Sequence, residues 1–178
     1  LRVLVENGWL DDLKYICEPT EYHERRVTVH FVCDRGVSHE FVRHRVMSFA
    51  QESTRYCNYS KDKFDNEITF IKPCWVNMPT TDSAVYDADS NGDYFIQALE
   101  DAENWYLSLL KEGWTPQQAR AVLPNSLKTE LVVTGFTSDW NHFFDLRYRG
   151  TTGAPHPDAK QVASMAHDLI LKELGRDL

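Results

Sequence analysis

The chain has 178 residues, of which 42% are hydrophobic and 26% are charged, and its formal net charge is −8. Such a composition is ordinary for a globular protein that buries its own core. A negative net charge disfavours a general nucleic-acid-binding protein, which needs a basic surface, and no apolar run reaches membrane-spanning length. We therefore expect neither nucleic acid nor a membrane as a partner.

The cysteines give no sign of a metal site. Cys17, Cys33, Cys57 and Cys74 are widely spaced, without a Cys-x-x-Cys pair or a zinc-binding pattern. Their even number would allow disulfides, but a chain of this size does not need them, and no signal peptide is visible. We expect reduced thiols in a cytoplasmic protein.

The first third of the chain predicts two short helices, a strand and a capped helix. Residues 1–17 have helical spacing that is broken by Gly8, and alternating apolar residues predict a half-buried strand over 25–34. A turn is predicted at Asp34-Arg35-Gly36. Ser38 is then expected to cap a helix whose apolar face carries Phe41, Val42 and Val46.

The middle of the chain is more polar. Residues 48–63 are predicted to be irregular and suited to ligand contacts, and residues 68–71 read as a short strand. The run 78–93, rich in Thr, Asp, Ser and Asn, predicts a linker or mobile surface loop, or else the lead-in to the next helix. Residues 94–111 form the clearest amphipathic pattern of the chain.

The last third predicts a helix over 115–123, opened by a proline at its first position. Residues 127–137 are ambiguous, although Leu131-Val132-Val133 favours a strand. Asp139 is expected to cap an aromatic-rich helix, and Pro157 to open the last one. The residues expected to face inward from that last helix are Val162, Met165, Ala166, Leu169 and Ile170.

These elements do not alternate strand by helix, so they predict an α+β fold. We expect one domain over residues 1–178, with an antiparallel sheet flanked by long helices. There is no Gly-x-Gly-x-x-Gly sequence, which disfavours a Rossmann-type dinucleotide site.

A donor-rich stretch from Arg43 to Tyr56 is the strongest functional signal. Guanidinium groups offer five donors in a planar fork, which suits phosphate and carboxylate oxygens. Ser53, Thr54 and Arg55 add hydroxyl and guanidinium donors. The stretch predicts a site for phosphorylated ligands, and the alternative is a solvated basic helix face.

Arg43-His44-Arg45, followed after seven residues by Ser53, resembles the Arg-His-Arg-x7-Ser signature of the flavin-dependent thymidylate synthases, the ThyX family. The similarity continues through Arg55-Tyr56 and upstream over residues 38–42. It covers nearly the whole chain, with gaps in the middle. The resemblance implies a ThyX-like fold, an additional segment before Leu1, and a homotetramer with active sites shared between subunits.

The resemblance also implies an enzyme, an FAD-dependent methyltransferase that makes dTMP by reductive methylation of dUMP. Methylenetetrahydrofolate would supply the carbon, FAD the hydride, and NADPH the electrons that reduce the flavin. Since the chain has no Rossmann glycines, the flavin would be held by another kind of site.

Two blocks of site residues follow from the resemblance. Arg43, His44 and Arg45 match a triplet that contacts FAD, and its first arginine also reaches the nucleotide; the alternative for His44 is a core histidine satisfied by backbone. The second block matches the dUMP segment, with Gln51 also beside FAD, and consists of Gln51, Glu52, Ser53, Thr54 and Arg55. Ser53 is expected to bind rather than attack, because no base stands near it in sequence.

Five further residues are implied individually. Arg120 matches a nucleotide-binding arginine, with an internal acid as its alternative partner. Arg147 matches the arginine that favours ionised N3 of dUMP and is the expected catalytic residue, with a surface position as the alternative. Glu40 corresponds to a dUMP contact or is a surface carboxylate. His142 and Thr20 correspond to FAD contacts.

The sequence departs from the family pattern at three positions. Gln51 stands where many members have glutamate, Phe136 where asparagine faces the flavin, and His23 where an acid is common. Two alternatives stay open, the first because of Gln51 and Phe136, and the second because the Arg-His-Arg cluster with Tyr56 and Tyr59 nearby could bind single strands. One is a related pyrimidine-nucleotide hydroxymethylase, or an enzyme for another pyrimidine nucleotide. The other is a non-catalytic nucleotide- or nucleic-acid-binding homologue.

Overall fold

The computed structural model describes residues 2–15, 20, 22–61, 67–76 and 91–175. Its helices and strands alternate irregularly along the chain. In order they are α1 (Arg2–Glu6), β1 (Arg26–Asp34), α2 (Arg35–Phe41), β2 (Ser48–Gln51), α3 (Asn91–Lys111), α4 (Pro116–Ala119), β3 (Lys128–Phe136), α5 (Thr137–Phe144) and α6 (Pro157–Leu174). Short 3-10 turns cover Leu10–Tyr15 and Arg120–Val122, and a π-helical turn covers Asp145–Arg149.

The described strands form a three-stranded antiparallel sheet in the order β1-β3-β2. β1 pairs with β3 along its full length, from Arg26 opposite Phe136 to Asp34 opposite Lys128. β2 pairs with the other edge of β3, from Ser48 opposite Thr134 to Gln51 opposite Leu131. The predicted α+β architecture with an antiparallel sheet is confirmed.

One face of the sheet packs on helices α2, α5 and α6 and forms the main core. Alternate residues of β3 are buried on this face, as the period-two geometry of a strand requires. Trp140 anchors the centre, since its indole N–H donates to the carbonyl oxygen of Val27 at 3.1 Å. The rings of Phe31, Phe143 and Phe144 pack against it, and Phe41 packs in turn against Phe31.

A second, smaller core lies under α3. Tyr106 is fully buried there and donates its hydroxyl hydrogen to the carbonyl oxygen of Cys57 at 3.3 Å. Ile68 and Leu127 complete this cluster with Tyr59 and Ala119. The strand predicted over 68–71 is reduced to a single bridge between Phe70 and Leu127, so its predicted extent is wrong.

Strand β2 contradicts the prediction that residues 48–63 are irregular. Residues 48–51 pair with β3, and Phe49 and Gln51 are more buried than Ser48 and Ala50. The sequence signal is weak because a four-residue edge strand depends on its partner rather than on its own propensity. That partner lies about 80 residues away, beyond any local pattern.

Helix α2 begins earlier than predicted. It starts at Arg35, directly after β1, so Asp34-Arg35-Gly36 is not a turn. The cap is Asp34 rather than Ser38, because the Asp34 carboxylate accepts the backbone N–H of Val37 at 2.7 Å. Ser38 instead donates its hydroxyl hydrogen to the carbonyl oxygen of Arg35 at 2.9 Å.

Helix α2 also ends earlier than predicted, at Phe41. Phe41 is fully buried, but Val42 and Val46 are exposed, so the predicted apolar face contains only its first member. The Arg-His-Arg triplet therefore lies in the turn after the helix. The same turn leads directly into β2.

Helix α5 begins at Thr137 rather than after Asp139. Asp139 lies in the first turn, where its carboxylate accepts the backbone N–H of Phe136 at 2.9 Å. The chain then widens into the π-helical turn, which ends at Gly150 with φ of 72°. A left-handed conformation suits glycine, which has no Cβ to clash.

The remaining helices follow the predictions in part. α3 begins at Asn91, so the end of the predicted 78–93 loop is helical, and residues 78–90 lie outside the described residues. α4 is only one turn long, although a helix was predicted over 115–123. α6 is confirmed, but Met165 and Leu169 are exposed rather than inward.

Near the N-terminus, α1 and the following 3-10 turn match the two predicted short helices up to Tyr15. Cys33, Cys57 and Cys74 are free thiols, and Cys17 lies outside the described residues. No helix in the described part of the chain has the length and apolarity that a bilayer crossing requires.

Candidate functional site

The Arg-His-Arg triplet occupies a tight turn between α2 and β2. The backbone N–H of His44 donates to Phe41 at 3.1 Å, and that of Met47 donates to His44 at 3.0 Å. His44 is only 6% exposed, whereas Arg43 and Arg45 are exposed on either side of it. The alternative of a solvated basic helix face is wrong, because the triplet is not helical and its centre is buried.

Arg147 lies in the π-helical turn and reaches across to the triplet and to α2. Its Nη1 donates to Oε2 of Glu40 at 2.6 Å, and its Nη2 donates to the carbonyl oxygen of Glu40 at 2.9 Å. Its Nε donates to Nε2 of His44 at 3.1 Å. We call Glu40, His44 and Arg147 the Arg147 group. Predicted site residues from two distant parts of the sequence thus meet within one chain.

Burial governs the charge of His44. Desolvation, the nearby Arg147 guanidinium and His142 together lower the pKa of His44 from 6.5 to about 4. The rings of His44 and His142 lie 5.9 Å apart. His44 is therefore neutral at pH 7, and its Nε2 is satisfied by a side chain rather than by backbone, contrary to the alternative considered for it.

Gln51 on β2 faces the protein interior. Its side-chain amide donates to the Ser38 hydroxyl at 2.8 Å and to the Thr129 hydroxyl at 3.3 Å. Thr129 is fully buried on β3, and Ser38 is fully buried on α2. The sequence interpretation did not include Thr129, although a threonine at an inward position of a strand is a usable signal for a buried polar contact.

Arg120 meets the segment that follows β2. Its Nη1 donates to the hydroxyl of the buried Thr54 at 3.1 Å. Nearby, Nε of Arg55 donates to Oε1 of Gln117 at 2.7 Å. We call Thr54, Arg55, Gln117 and Arg120 the Arg120 group. No acid pairs with Arg120 among the described residues, so the internal-acid alternative gains no support, and Gln117 is a contact that the sequence did not indicate.

Three other predicted residues make local contacts. The Ser53 hydroxyl accepts the backbone N–H of Arg55 at 3.4 Å. Glu52 accepts a hydrogen bond from Sγ of Cys57 at 3.4 Å. Thr20 contacts Nδ1 of His23 at 3.0 Å. The structure does not join Thr20 to either group through any hydrogen bond of the described residues.

Across residues 2–15, 20, 22–61, 67–76 and 91–175, no hydrogen bond or ion pair links the Arg147 group directly to the Arg120 group. Phe136 is 41% exposed and lies under the Arg26 guanidinium at 5.1 Å. Its ring therefore packs against a neighbouring strand residue.

The family model described as "Thymidylate synthase complementing protein" matches residues 20–174. The chain belongs to this family. The matched range contains every site residue that the sequence analysis named, together with the whole sheet. The family predicted from the Arg-His-Arg signature is confirmed.

Curated relatives of the chain carry the name "Flavin-dependent thymidylate synthase". One from Geobacter sulfurreducens is 32% identical over 113 residues, covering 64% of this chain and 43% of the relative. One from Pyrococcus abyssi is 30% identical over 115 residues, covering 65% and 43%. One from Corynebacterium aurimucosum is 34% identical over 121 residues, covering 64% and 45%. The chain spans less than half the length of these relatives.

Proposed function

We propose that the chain is a flavin-dependent thymidylate synthase that converts dUMP to dTMP with methylenetetrahydrofolate, FAD and NADPH. The observation that carries the proposal is the convergence of Arg147, Glu40 and His44 at the Arg-His-Arg turn. A half-buried guanidinium fixed by three hydrogen bonds is preorganised to stabilise a developing anion. The relatives named as flavin-dependent thymidylate synthases support the same activity.

The donor set of this chain fits FAD. Arg43 and Arg45 are exposed, and their side chains donate no hydrogen bond to another described residue. Free guanidinium forks suit a pyrophosphate, so this turn can bind a dinucleotide without Rossmann glycines. Bound FAD would supply the hydride of the reaction. The residues proposed to hold it are Thr20, Arg43, His44, Arg45, Gln51 and His142.

The Arg120 group is proposed to bind the phosphate of dUMP. Arg120 and Arg55 are both anchored at one nitrogen, which leaves other N–H groups of each fork for an anion. The neighbouring hydroxyls add uncharged donors. The full set proposed to contact the nucleotide is Glu40, Arg43, Gln51, Glu52, Ser53, Thr54, Arg55, Arg120 and Arg147.

Arg147 is proposed as the catalytic residue that lowers the free energy of the pyrimidine anion at N3. A guanidinium has five N–H groups, and three of them donate to Glu40 and His44, leaving two for the ring. Because its position is fixed before the substrate arrives, little reorganisation is needed in the reaction. Before an anionic substrate binds, the Glu40 carboxylate compensates the partly buried charge of the Arg147 guanidinium.

We propose further that the chain works as one ThyX-like domain in a homotetramer with shared active sites. The outer face of the sheet supports this, because Val32, Val132 and Phe136 are exposed on it. Contact with another copy would cover the apolar surface.

The proposal is tested by the absorbance spectrum and turnover of the purified chain. A yellow protein with flavin absorbance is expected, which forms dTMP from dUMP, methylenetetrahydrofolate and NADPH. Arg147→Ala is expected to keep FAD and lose most turnover. A colourless protein that binds no FAD at micromolar concentration would contradict the proposal.

A second candidate is favoured by one feature, the neutral amide of Gln51 in place of a carboxylate. It is an enzyme for another pyrimidine nucleotide, such as a hydroxymethylase. Turnover of dCMP measured beside dUMP separates the two, since preference for dCMP would replace the first proposal. Salt-dependent binding of oligonucleotides without flavin would instead indicate a non-catalytic binding module.

A further inference from the structure

The contact between Arg147 and His44 fixes which ring nitrogen of His44 carries the proton. Arginine has donors and no acceptor, so the Nε–H of Arg147 needs a lone pair on its partner. That partner is Nε2 of His44 at 3.1 Å. If Nε2 were protonated, two N–H groups would face each other at this distance. The geometry therefore requires an unprotonated Nε2.

Two further contacts keep the guanidinium from turning away. The carboxylate and the backbone oxygen of Glu40 accept from Nη1 and Nη2 of Arg147 at 2.6 and 2.9 Å. Both acceptors belong to the last turn of α2, so the plane of the fork is fixed against a helix. Glu40, rather than the His44 ring, therefore sets the direction in which the third donor, Nε–H, points toward Nε2 of His44.

Two aromatic rings pack near the ring of His44. Its centroid lies 4.8 Å from that of Phe143 and 5.9 Å from that of His142. The residue is 6% exposed, so a rotated or solvated ring would lose this packing. Among the residues that the structure describes, the contact with Arg147 is the side-chain hydrogen bond that distinguishes the two nitrogens.

We propose that Arg147 is a positioning residue for His44, which it locks as the neutral tautomer with the proton on Nδ1. In this form the lone pair of His44 accepts from Arg147 and the ring N–H lies on Nδ1, so the ring does not act as a general base through Nε2. The inference deepens the proposed function, but the tautomer itself does not rest on that function.

The test is nitrogen-15 NMR of the histidine rings in the intact chain at pH 7. The expected spectrum for His44 has its deshielded, unprotonated nitrogen coupled to both carbon-bound ring protons, which identifies that nitrogen as Nε2. A deshielded nitrogen coupled to only one ring proton, or a doubly protonated ring, would overturn the inference. The His44→Gln variant assigns the signals.

Variants separate positioning from packing. Arg147→Gln and Arg147→Lys remove the Nε–H donor, and the ring is expected to shift toward the Nε2–H form, which free histidine side chains favour. Arg149→Gln is the matched control, because Arg149 donates to Asn141 and Asp145 and leaves His44 untouched. An unchanged tautomer in both Arg147 variants would show that Arg147 does not set it.

Glu40→Gln keeps the inference testable if the Arg147 variants do not fold. This substitution weakens the hydrogen bond between residue 40 and Nη1 of Arg147, and the expected spectrum shows signals of both tautomers of His44. A spectrum identical to that of the wild type would contradict the conclusion that Glu40 fixes the orientation of the guanidinium. An FAD titration of the same samples distinguishes the two proposals. A wild-type chain that binds no FAD contradicts the proposed function, whereas the NMR result alone decides the tautomer.

Discussion

Glu40 holds Arg147 through two different oxygens, its carboxylate Oε2 at 2.6 Å and its backbone carbonyl at 2.9 Å. The two residues are 107 positions apart in sequence, and their side chains are 33% and 18% exposed. A pair at this depth is less screened than a surface ion pair, and losing one partner leaves the other partly desolvated without compensation. Arg147 is therefore placed by helix α2 rather than by its own turn.

The first prediction concerns Glu40. Glu40→Ala should lower kcat/KM for dUMP by about ten- to a hundredfold, because a charge-assisted hydrogen bond is worth about 1.5–3 kcal/mol. The decrease in kcat/KM should be smaller for Glu40→Gln, because the amide oxygen of glutamine can still accept from Nη1 of Arg147. Glu173→Ala is the control, because its pair with Arg25 is exposed on both sides and contributes little. Steady-state kinetics would measure all three variants. Wild-type activity in Glu40→Ala would show that Glu40 does not contribute to the site.

The second prediction concerns the anchor of Arg120. Thr54→Val keeps the volume of this buried side chain but removes the hydroxyl that accepts from Arg120 at 3.1 Å. We expect the Kd for dUMP to rise by about tenfold, as for the loss of one hydrogen bond of about 1 kcal/mol or slightly more.

Isothermal titration calorimetry with dUMP measures this effect. The matched control is Thr137→Val, which removes the hydroxyl that donates to Oε1 of Glu24 at 3.0 Å at the start of α5. Its affinity for dUMP should equal that of the wild type. An equal decrease in affinity for dUMP in both variants would indicate a general effect on the fold.

The third prediction is a pH dependence of stability from His44. An unfolded histidine titrates near 6.5, and burial with Arg147 and His142 lowers the pKa of His44 to about 4 in the folded chain. Between these values the unfolded chain binds the proton and the folded chain does not. The contribution of His44 to the free energy of unfolding is therefore complete above pH 6.5. It is lost as the pH drops toward 4, by on the order of 3 kcal/mol.

Urea denaturation at several pH values between 4 and 7.5 measures this dependence. Carboxylates also titrate in that range, so the informative quantity is the wild-type curve minus that of His44→Gln. The difference should decline as the pH is lowered through 6. Parallel curves for the two proteins would show that His44 does not titrate with a lowered pKa.

The fourth prediction concerns the packing beneath the Arg-His-Arg turn. A Cβ added at Gly135 would lie 2.7 Å from Cε of Met47 and 3.2 Å from Cβ of Asp139. Gly135→Ala should therefore destabilise the chain by about 1–3 kcal/mol through overpacking. Met47 follows the triplet, so its displacement should also reduce activity.

A double-mutant cycle with Met47→Ala checks this cause. Removing the methionine side chain opens the space that the new Cβ needs. The double variant should therefore lose less free energy of unfolding than the sum of the losses in the two single variants. The free energies of unfolding come from urea denaturation. Strict additivity would indicate that Met47 and the new Cβ do not compete for space.

The strongest periodic segments were readable from sequence alone. The long strand near residues 25–34, the helix over 94–111 and the last helix from Pro157 appear where their patterns predict them, whereas residues 127–137, which the pattern left ambiguous, contain β3. Their apolar residues recur at the period of the element, so each carries its own signal. The Arg-His-Arg-x7-Ser spacing likewise lies within one short stretch, which is why it indicated the family without any coordinates.

The weak elements could not be read in this way. Strand β2 takes its structure from pairing with β3, and α2 begins at Arg35 because Asp34, at the end of a strand, serves as its cap. Local patterns do not report such partners. The exposure of Met165 and Leu169 on α6 also follows from where that helix meets the sheet rather than from their apolar character.

The sequence by itself determined the family, the α+β class and the types of side chain available to the site. Only the tertiary structure decided that Arg147 donates to Glu40 and His44, that His44 is buried and neutral, and that Arg120 is anchored on Thr54. The physical reason is that residue identity sets what a group can donate or accept. Which partner it meets, and how much water surrounds it, depends on contacts between segments far apart in the chain.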